Sequence, residues 1–221
     1  MNLNTFLLSV VGVDGSGKTT VLEELRRRDV LPGAIYVRTD EWRCDHLLRR
    51  SHRKQSDGSL NFVQGSFAQA RPFATALDVL HTFEAKIKPH LGQVPYIVVE
   101  RYVLSAMAYF GAMGYRSIMY DYFAELPKAD LTIYLRADMN TLTARYKTRV
   151  FNPDEAPELM RRHSEALDAL AQEADWPIVT VNNTLPFGTA FEQIENAIRT
   201  AIAEWHVSAV AIPSTGSISP K

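Results

Sequence analysis

Five short apolar runs divide the chain and predict buried β-strands. These runs are Phe6–Val11, Ile35–Arg38, Val94–Val99, Leu131–Leu135 and Ile178–Val181, and the third leads directly into Glu100. Segments with the helical spacing of apolar residues lie between and after them, at about 20–27, 42–51, 61–91, 103–113, 138–149, 157–174 and 187–205. Strands that alternate with helices predict an α/β fold, with a five-stranded parallel sheet covered by helices on both faces.

Two of the predicted helices carry apolar residues at steps of three and four, which is the pattern of one buried helix face. In the last helix these residues are Phe191, Ile194, Ile198, Ile202 and Trp205. In the segment 61–91 they are Phe73, Leu77, Leu80, Ile87 and Leu91. We expect Pro72 to divide that segment, because the residue before a proline is disfavoured in the α conformation.

Composition narrows the class of protein. The chain has 221 residues, of which 46% are hydrophobic and 22% charged, as expected for one folded domain. We place that domain at 1–207 and a tail rich in serine, proline and small residues at 208–221. The net charge of −1 disfavours binding to long nucleic acid. One cysteine, Cys44, excludes an internal disulfide framework.

The same sequence predicts no membrane association. No apolar run approaches the ~18 residues of a membrane span. The segment from Met1 to Thr5 has no basic region and leads directly into the first predicted strand, unlike a signal peptide. A cytoplasmic enzyme is therefore expected.

The segment from Gly12 to Thr19 matches G-x-x-x-x-G-K-[ST] at every fixed position, after a predicted strand and before a helix. Such a loop turns backbone N–H groups toward phosphate oxygens, and the helix N-terminus adds partial positive charge. In this motif Lys18 reaches the β- and γ-phosphates, and the Thr19 hydroxyl holds Mg²⁺. The sequence therefore predicts a nucleoside triphosphate site. Its residues are Gly12, Asp14, Gly15, Ser16, Gly17, Lys18, Thr19 and Thr20.

A second group of candidate residues, Glu100-Arg101-Tyr102, follows the third predicted strand. Side chains at the carboxyl end of a buried parallel strand lie in the crevice where α/β proteins bind ligands. Glu100 is placed to order Mg²⁺-bound water or to accept a proton, and Arg101 to bind a second phosphate. A structural ion pair at the strand end is the alternative interpretation.

These two segments together resemble the thymidylate kinases. That family carries a P-loop of the form G-x-D-G-x-G-K-[ST], as Gly12 to Thr19 does, and a D-R-Y-x-x-S-x-x-A-Y segment after the third strand. Here the second segment reads Glu100-Arg101-Tyr102, then Ser105 and Ala108-Tyr109, in the same register. The resemblance covers roughly residues 5 to 181 and implies the P-loop kinase fold, with ATP and Mg²⁺ as cofactors.

The resemblance also implies roles for individual residues in the acceptor site. Asp14 would face the acceptor phosphate and the sugar, Arg101 would contact that phosphate, and Ser105 and Tyr109 would line the nucleoside pocket. Phe67 and Arg71 resemble the family's F-x-x-x-R, in which the aromatic ring stacks on the base and the arginine binds the monophosphate. The alternative is that Phe67 is a core aromatic and Arg71 a solvated charge.

Two further arginines, Arg145 and Arg149, lie four apart on one predicted helix face, before a turn-like segment. Thymidylate kinases place the arginines of a lid here, at about 145–157, where they close over the triphosphate. An arginine that neutralises charge on the migrating group suits phosphoryl transfer. A solvated basic helix face is the alternative for either residue.

The sequence therefore predicts an ATP- and Mg²⁺-dependent kinase acting on a small acceptor, a pyrimidine deoxynucleoside monophosphate such as dTMP, with a possible homodimer. Its departures from the family are Glu100 in place of the aspartate, Phe110 where glutamine is common, and Arg38-Thr39-Asp40 where R-E-P-G-G-T is usual. They leave open a modified nucleotide or another phosphate acceptor.

The sequence leaves one other class of function open and disfavours two more. The first is a nucleoside or other small-molecule kinase with a hydroxyl acceptor, in which Glu100 or Asp14 would act as the base. The second, a GTP-dependent switch, is disfavoured because Pro127-Lys128-Ala129-Asp130 lacks the asparagine of N-K-x-D. The third, a nucleic-acid end kinase, is disfavoured by the near-neutral charge.

Overall fold

The computed structural model describes residues 4–39, 44, 47, 70–114, 123, 126–146 and 157–210. Its strands are β1 (Phe6–Val11), β2 (Ile35–Arg38), β3 (Tyr96–Glu100), β4 (Leu131–Arg136) and β5 (Ile178–Asn182). Its α-helices are α1 (Lys18–Arg27), α2 (Arg71–Thr82), α3 (Val103–Ala112), α4 (Met139–Tyr146), α5 (Pro157–Glu173) and α6 (Phe187–Val210). A π-helical turn, Phe83–Ile87, and a 3₁₀ turn, Lys88–His90, continue α2.

The five strands form one parallel sheet in the order β2-β3-β1-β4-β5, so the predicted sheet is confirmed. All six residues of β1 are buried, because this strand has a neighbour on either side and helices on both faces. The chain leaves β1 toward β2 and leaves β3 toward β4, which lies on the other side of β1. This change of direction opens a crevice between the carboxyl ends of β1 and β3, where α/β proteins bind ligands.

Helices cover both faces of the sheet, as predicted. On one face α1 and α6 contribute Leu25, Phe191, Ile194 and Ile198 to a core that includes Leu8 of β1. On the other face, residues of α3 and α5 pack with the π-helical turn after α2. The predicted stripe of α6 is confirmed, with three of its members fully buried, while Ile202 and Trp205 pack at the edge of that core.

The predicted stripe of α2 is wrong. Phe73, Leu77 and Leu80 are 41%, 57% and 43% exposed. The buried face instead includes polar Asp78, which is 4% exposed because its carboxylate accepts the backbone N–H of Cys44 at 2.9 Å. Only the end of the stripe was correct, since Ile87 is fully buried and Leu91 packs against the core.

Element boundaries follow the predictions with small differences. The helix containing Pro72 begins at Arg71, so this proline lies in its first turn, where it lacks only an N–H that would have no partner there. The last helix runs to Val210, beyond the predicted start of the tail at 208. The predicted helix at 42–51 and the segment 61–69 lie outside the described residues, apart from positions 44 and 47. No helix in the described part of the chain is long and apolar enough to cross a membrane.

Candidate active site

The loop that joins β1 to α1 requires glycine at two positions for reasons visible in its geometry. Gly17, the N-cap of α1, has φ +96°, in the left-handed region that side chains disfavour. A Cβ on Gly12 would lie 2.4 Å from the Ser16 Oγ and 2.7 Å from the carbonyl oxygen of Leu135. The loop is therefore curled tightly against the end of β4, and its residues 12–17 lead directly into the helix N-terminus.

Lys18 folds back over this loop instead of pointing into solvent. Its Nζ donates to the carbonyl oxygens of Gly12 and Val13 at 3.0 and 2.9 Å, and the residue is only 5% exposed. The ammonium also lies 3.7 Å from the carboxylate of Asp14. Thr19 and Thr20 are exposed at the first turn of α1. The loop thus concentrates one cation and a hydroxyl where the motif places phosphates and Mg²⁺.

Arg101, at the end of β3, has a backbone conformation that its surroundings enforce. Arg101 and Tyr102 have φ of +76° and +90°, a region that costs non-glycine residues of the order of 1–3 kcal/mol. The N–H of Arg101 donates to Val10 at 2.9 Å, and its carbonyl oxygen accepts the hydroxyl of Ser9 at 2.6 Å. These two bonds to β1 hold the turn and fix the direction in which the guanidinium leaves the sheet.

The guanidinium of Arg101 forms an ion pair with Asp14, and so joins the two predicted motifs. Burial raises the pKa of Asp14, but the charges of Arg101 and Lys18 more than offset this effect and lower it to about 2. The carboxylate is therefore ionised at neutral pH and bridges two cations. A cluster of two positive charges and one negative charge lies at the carboxyl edge of β1 and β3.

Glu100 is the last residue of β3 and is 6% exposed. Its carboxylate lies 3.4 Å from Nε of Arg38, and its carbonyl oxygen accepts the hydroxyl of Thr39 at 2.8 Å. Thr19 and Glu100 line a common cavity of about 210 Å³ beside α1. In the part of the chain that the structure describes, no three His, Cys, Asp or Glu side chains form a metal-binding group. One hydroxyl and one carboxylate on a shared cavity nevertheless fit Mg²⁺, which retains several of its waters.

Helix α3 carries Ser105 and Tyr109 one turn apart, and Ser105 is buried. The ring of Tyr109 meets the imidazole of His163 edge to face, with the ring centroids 5.6 Å apart. Burial, together with the charge of Arg101, lowers the pKa of His163 to about 3, so the ring is neutral. The ring donates a hydrogen bond to the backbone of Ser105, while the buried Nε2 has no partner among the described residues.

Arg145, on α4, lies against the back of the P-loop. Its guanidinium donates to the carbonyl oxygens of Gly15 and Asn183 at 3.1 and 3.0 Å. Asn183 follows β5 and is 4% exposed, and its side-chain amide donates to the carbonyl oxygen of Ser16 at 2.5 Å. Two carbonyl groups on the outer side of the loop are thus satisfied by side chains from other elements.

The structure brings most of the predicted site residues together at one edge of the sheet. These are the P-loop residues 12–20 with Asp14 and Lys18, then Glu100, Arg101, Ser105, Tyr109 and Arg145. Phe67, Arg149 and the lid segment 147–156 lie outside the described residues. Arg71 is the first residue of α2, and the structure describes only its backbone.

Among the residues that the structure describes, Arg38, Thr39, His163 and Asn183 lie near the site but were not among the predicted site residues. Arg38 and Thr39 could have been found, because they end a predicted strand of the same parallel sheet. His163 and Asn183 lie on a helix and in a turn without a recognisable motif, so their sequence neighbourhoods carry no such signal.

Comparison with known proteins assigns the family. The thymidylate kinase family model matches residues 10–194. A probable thymidylate kinase of Pyrobaculum calidifontis is 29% identical over 207 residues, covering 89% of this chain and 97% of that protein. One from Caldivirga maquilingensis is 26% identical over 195 residues, covering 80% of this chain and 86% of that protein.

The fold is also similar to that of a solved thymidylate kinase. A thymidylate kinase structure from Candida albicans superposes with a TM-score of 0.68 at 18% identity, covering 89% of this chain and 92% of that one. The family match, which spans most of the chain, confirms the predicted P-loop nucleotide phosphotransferase. The chain belongs to the thymidylate kinase family, whose activity is the ATP-dependent phosphorylation of dTMP to dTDP.

Proposed function

We propose that this chain transfers the γ-phosphoryl group of Mg²⁺-bound ATP to the phosphate of dTMP through the site at the β1–β3 crevice. The backbone of residues 12–19 and Lys18 bind the donor phosphates, and Arg101 binds the acceptor phosphate. Ser105 and Tyr109 border the acceptor nucleoside. The family match supports this reaction, and the geometry supports the division of the site into a donor and an acceptor side.

The ion pair between Asp14 and Arg101 carries the proposal. An acceptor that already has a phosphate needs a cation at the junction with the donor loop, and Arg101 supplies a planar fork suited to phosphate oxygens. A hydroxyl acceptor needs instead a general base whose pKa lies near the working pH. With its pKa lowered to about 2, Asp14 is a poor base. Glu100, the other candidate base, is paired with Arg38 at 3.4 Å. These two pairings favour a monophosphate acceptor over the hydroxyl-acceptor kinase.

Mg²⁺ is the cofactor that the residues around Thr19 fit. The Thr19 hydroxyl would bind the ion directly, and Glu100, on the same cavity, would hold one of its waters. When bound, the ion neutralises charge on the donor phosphates.

The chain's own residues then position the two phosphates and supply charge, and they take no covalent part in the reaction, as is general for phosphoryl transfer. Lys18 places a fixed ammonium at the loop, and Arg101 orients the acceptor phosphate from the opposite side. Arg145 donates to the carbonyl oxygen of Gly15 on the outer side of the loop, so it supports the loop that binds the donor phosphates. Asp14 keeps Lys18 and Arg101 at one point despite their like charges.

The acceptor screen is the direct test. ATP turnover is measured with Mg²⁺ against dTMP, dUMP, dCMP, thymidine and a non-nucleotide phosphate such as glycerol phosphate. We expect turnover with dTMP to exceed turnover with thymidine by at least about 100-fold, because thymidine leaves Arg101 without its phosphate partner. Faster turnover with thymidine would assign the hydroxyl-acceptor activity instead. Turnover only with the non-nucleotide phosphate would contradict the proposed nucleoside pocket.

The homodimer expected from the sequence is also a proposal. The exposed leucines Leu77 and Leu80 of α2 support a homodimer through that helix. Sedimentation equilibrium would measure the dimer, and a monomer at micromolar concentration would contradict it.

The cytoplasmic location predicted from the sequence is also a proposal, and the family match alone supports it.

A further inference from the structure

The carbonyl groups on the outer side of the P-loop need hydrogen-bond donors. While its N–H groups converge on phosphates, the carbonyl groups of Gly15 and Ser16 point outward, toward side chains of other elements. Buried carbonyl groups need a donor, since leaving one unpaired costs free energy. Whatever supplies those donors also fixes the curl of the loop.

The turn after β5 supplies one of them from a rigid base. The N–H of Asn183 donates to the carbonyl oxygen of Arg136 at 2.7 Å, which extends the pairing of β4 with β5 by one residue. The side-chain amide of Asn183 then donates to the carbonyl oxygen of Ser16 at 2.5 Å. A Cβ on Gly17 would lie 2.4 Å from the same Nδ2, so the amide occupies the space that this glycine leaves.

The same turn also holds α4, which carries Arg145. Asp138 caps that helix by accepting the N–H of Thr141 at 2.8 Å. The hydroxyl of Thr184 donates to the other oxygen of this carboxylate at 3.0 Å. Arg145 connects α4 to the P-loop and to the turn after β5, because it donates to the carbonyl oxygens of both Gly15 and Asn183. The β5 turn, α4 and the P-loop are therefore joined in one closed set of hydrogen bonds.

We propose that Asn183 is a positioning residue for the triphosphate of the donor nucleotide. It acts through the Ser16 carbonyl and through Arg145, and it holds the loop in the phosphate-binding curl before the nucleotide arrives. Pre-organisation of this kind lowers the cost of binding, because fewer groups must be ordered by the ligand. The role rests on the use of a nucleoside triphosphate, which the family shares, and it does not depend on dTMP as the acceptor.

The decisive variant is Asn183→Asp, because it preserves size and removes the donor. Its carboxylate would face the Ser16 carbonyl and add negative charge beside the phosphates. ATP affinity is measured by titration calorimetry without acceptor, and the KM values for ATP and acceptor in steady state. We expect the Kd for ATP to rise about tenfold or more, since small misplacements at such sites are costly. The acceptor KM should stay within about threefold.

Two further variants separate positioning from packing. Asn182→Ala removes a neighbouring, exposed amide whose oxygen accepts the N–H of Thr184, and should leave ATP affinity within about twofold. Asn183→Ala should weaken ATP binding at every pH. The defect of Asn183→Asp should shrink between pH 8 and pH 5.5, because burial at this position raises the pKa of the introduced carboxyl, and its protonated form can again donate to the Ser16 carbonyl.

The outcomes that overturn the role are specific. One is wild-type ATP affinity in Asn183→Asp, measured at pH 8. Another is a lower melting temperature with unchanged ATP affinity, which would make Asn183 a structural residue only. Equal increases in both KM values would also contradict it. A chain that binds ATP normally but turns over no dTMP would refute the proposed acceptor, and would leave this test intact.

Discussion

The donor side and the acceptor side of the site are held in place by different interactions. On the proposed donor side, Asn183 in the turn after β5 and Arg145 of α4 donate hydrogen bonds to loop carbonyl groups. On the acceptor side, an ion pair, two strained backbone positions and a buried neutral histidine lie close together. Hydrogen bonds to backbone carbonyl groups thus hold the proposed donor side, whereas paired charges and two residues with positive φ form the proposed acceptor side.

The largest expected effect tests the donor side. Lys18→Ala removes the one cation that the loop itself supplies, so turnover should fall by about 10³-fold or more. A coupled ATPase assay measures the rate, and thermal unfolding checks that the fold is retained. Lys88→Ala, at an exposed lysine paired with Glu84, is the matched control and should behave as wild type. Near wild-type turnover in Lys18→Ala would refute the donor site altogether.

Arg101→Lys tests the acceptor side with its charge preserved. Replacing a bidentate fork by a point charge should lower kcat/KM for the monophosphate acceptor by about 10- to 100-fold, with little change in the KM for ATP. Arg136→Lys, at the exposed end of β4, is the control and should leave both constants unchanged. If the two KM values rose together for Arg101→Lys, the separation into two sides would fail.

Glu100→Gln probes the boundary between the sides. Without the charge, the rate should fall about tenfold, and the Mg²⁺ concentration for half-maximal rate should rise, because water around the ion loses a charged acceptor. Glu100→Asp should be mild, since the charge remains. A Mg²⁺ titration measures both effects. Wild-type rate and midpoint in Glu100→Gln would show that Glu100 serves only its ion pair with Arg38.

The smallest effect concerns stability and pH. The pKa of His163 is about 3 in the folded chain, below its ordinary value of 6.5, so below pH 6.5 the unfolded chain binds a proton that the folded chain excludes. The free energy of unfolding should therefore fall as the pH falls from 6.5 toward 4, by up to about 1.4 kcal/mol per pH unit.

His163→Phe should flatten that part of the pH dependence in urea unfolding at pH 7, 6 and 5. His206→Gln, at an exposed histidine, should not. If His163→Phe retained the wild-type slope, protonation of His163 would not be what destabilises the chain below pH 6.5.

What could be predicted from the sequence depends on whether the residues that meet in the site are also close along the chain. The P-loop motif is contiguous, so its strand, turn and helix could be identified together, and roles for Lys18 and Thr19 could be proposed from it. Asn183 meets the loop across 167 positions of sequence, and His163 meets Tyr109 through the packing of two helices. No local pattern records such contacts.

The wrong face of α2 has a similar cause. The apolar row of this helix is exposed, whereas its buried row is mostly polar, with Thr75, Asp78 and Thr82 beside Val79. The carboxylate of Asp78 is satisfied there because it accepts the backbone N–H of Cys44. The periodicity of apolar residues does not register such a hydrogen bond to a distant part of the chain, so it selected the wrong row.

The position of β1 in the sheet has a consequence for how the chain acquires its function during synthesis. This strand is made first among the five but lies at the centre, between β3 and β4. Its partners leave the ribosome much later, and the turn carrying Asn183 later still. Until then an apolar strand and its glycine loop have no sheet to join, which exposes them to aggregation. The nascent chain can therefore complete its donor site only after β5 has emerged.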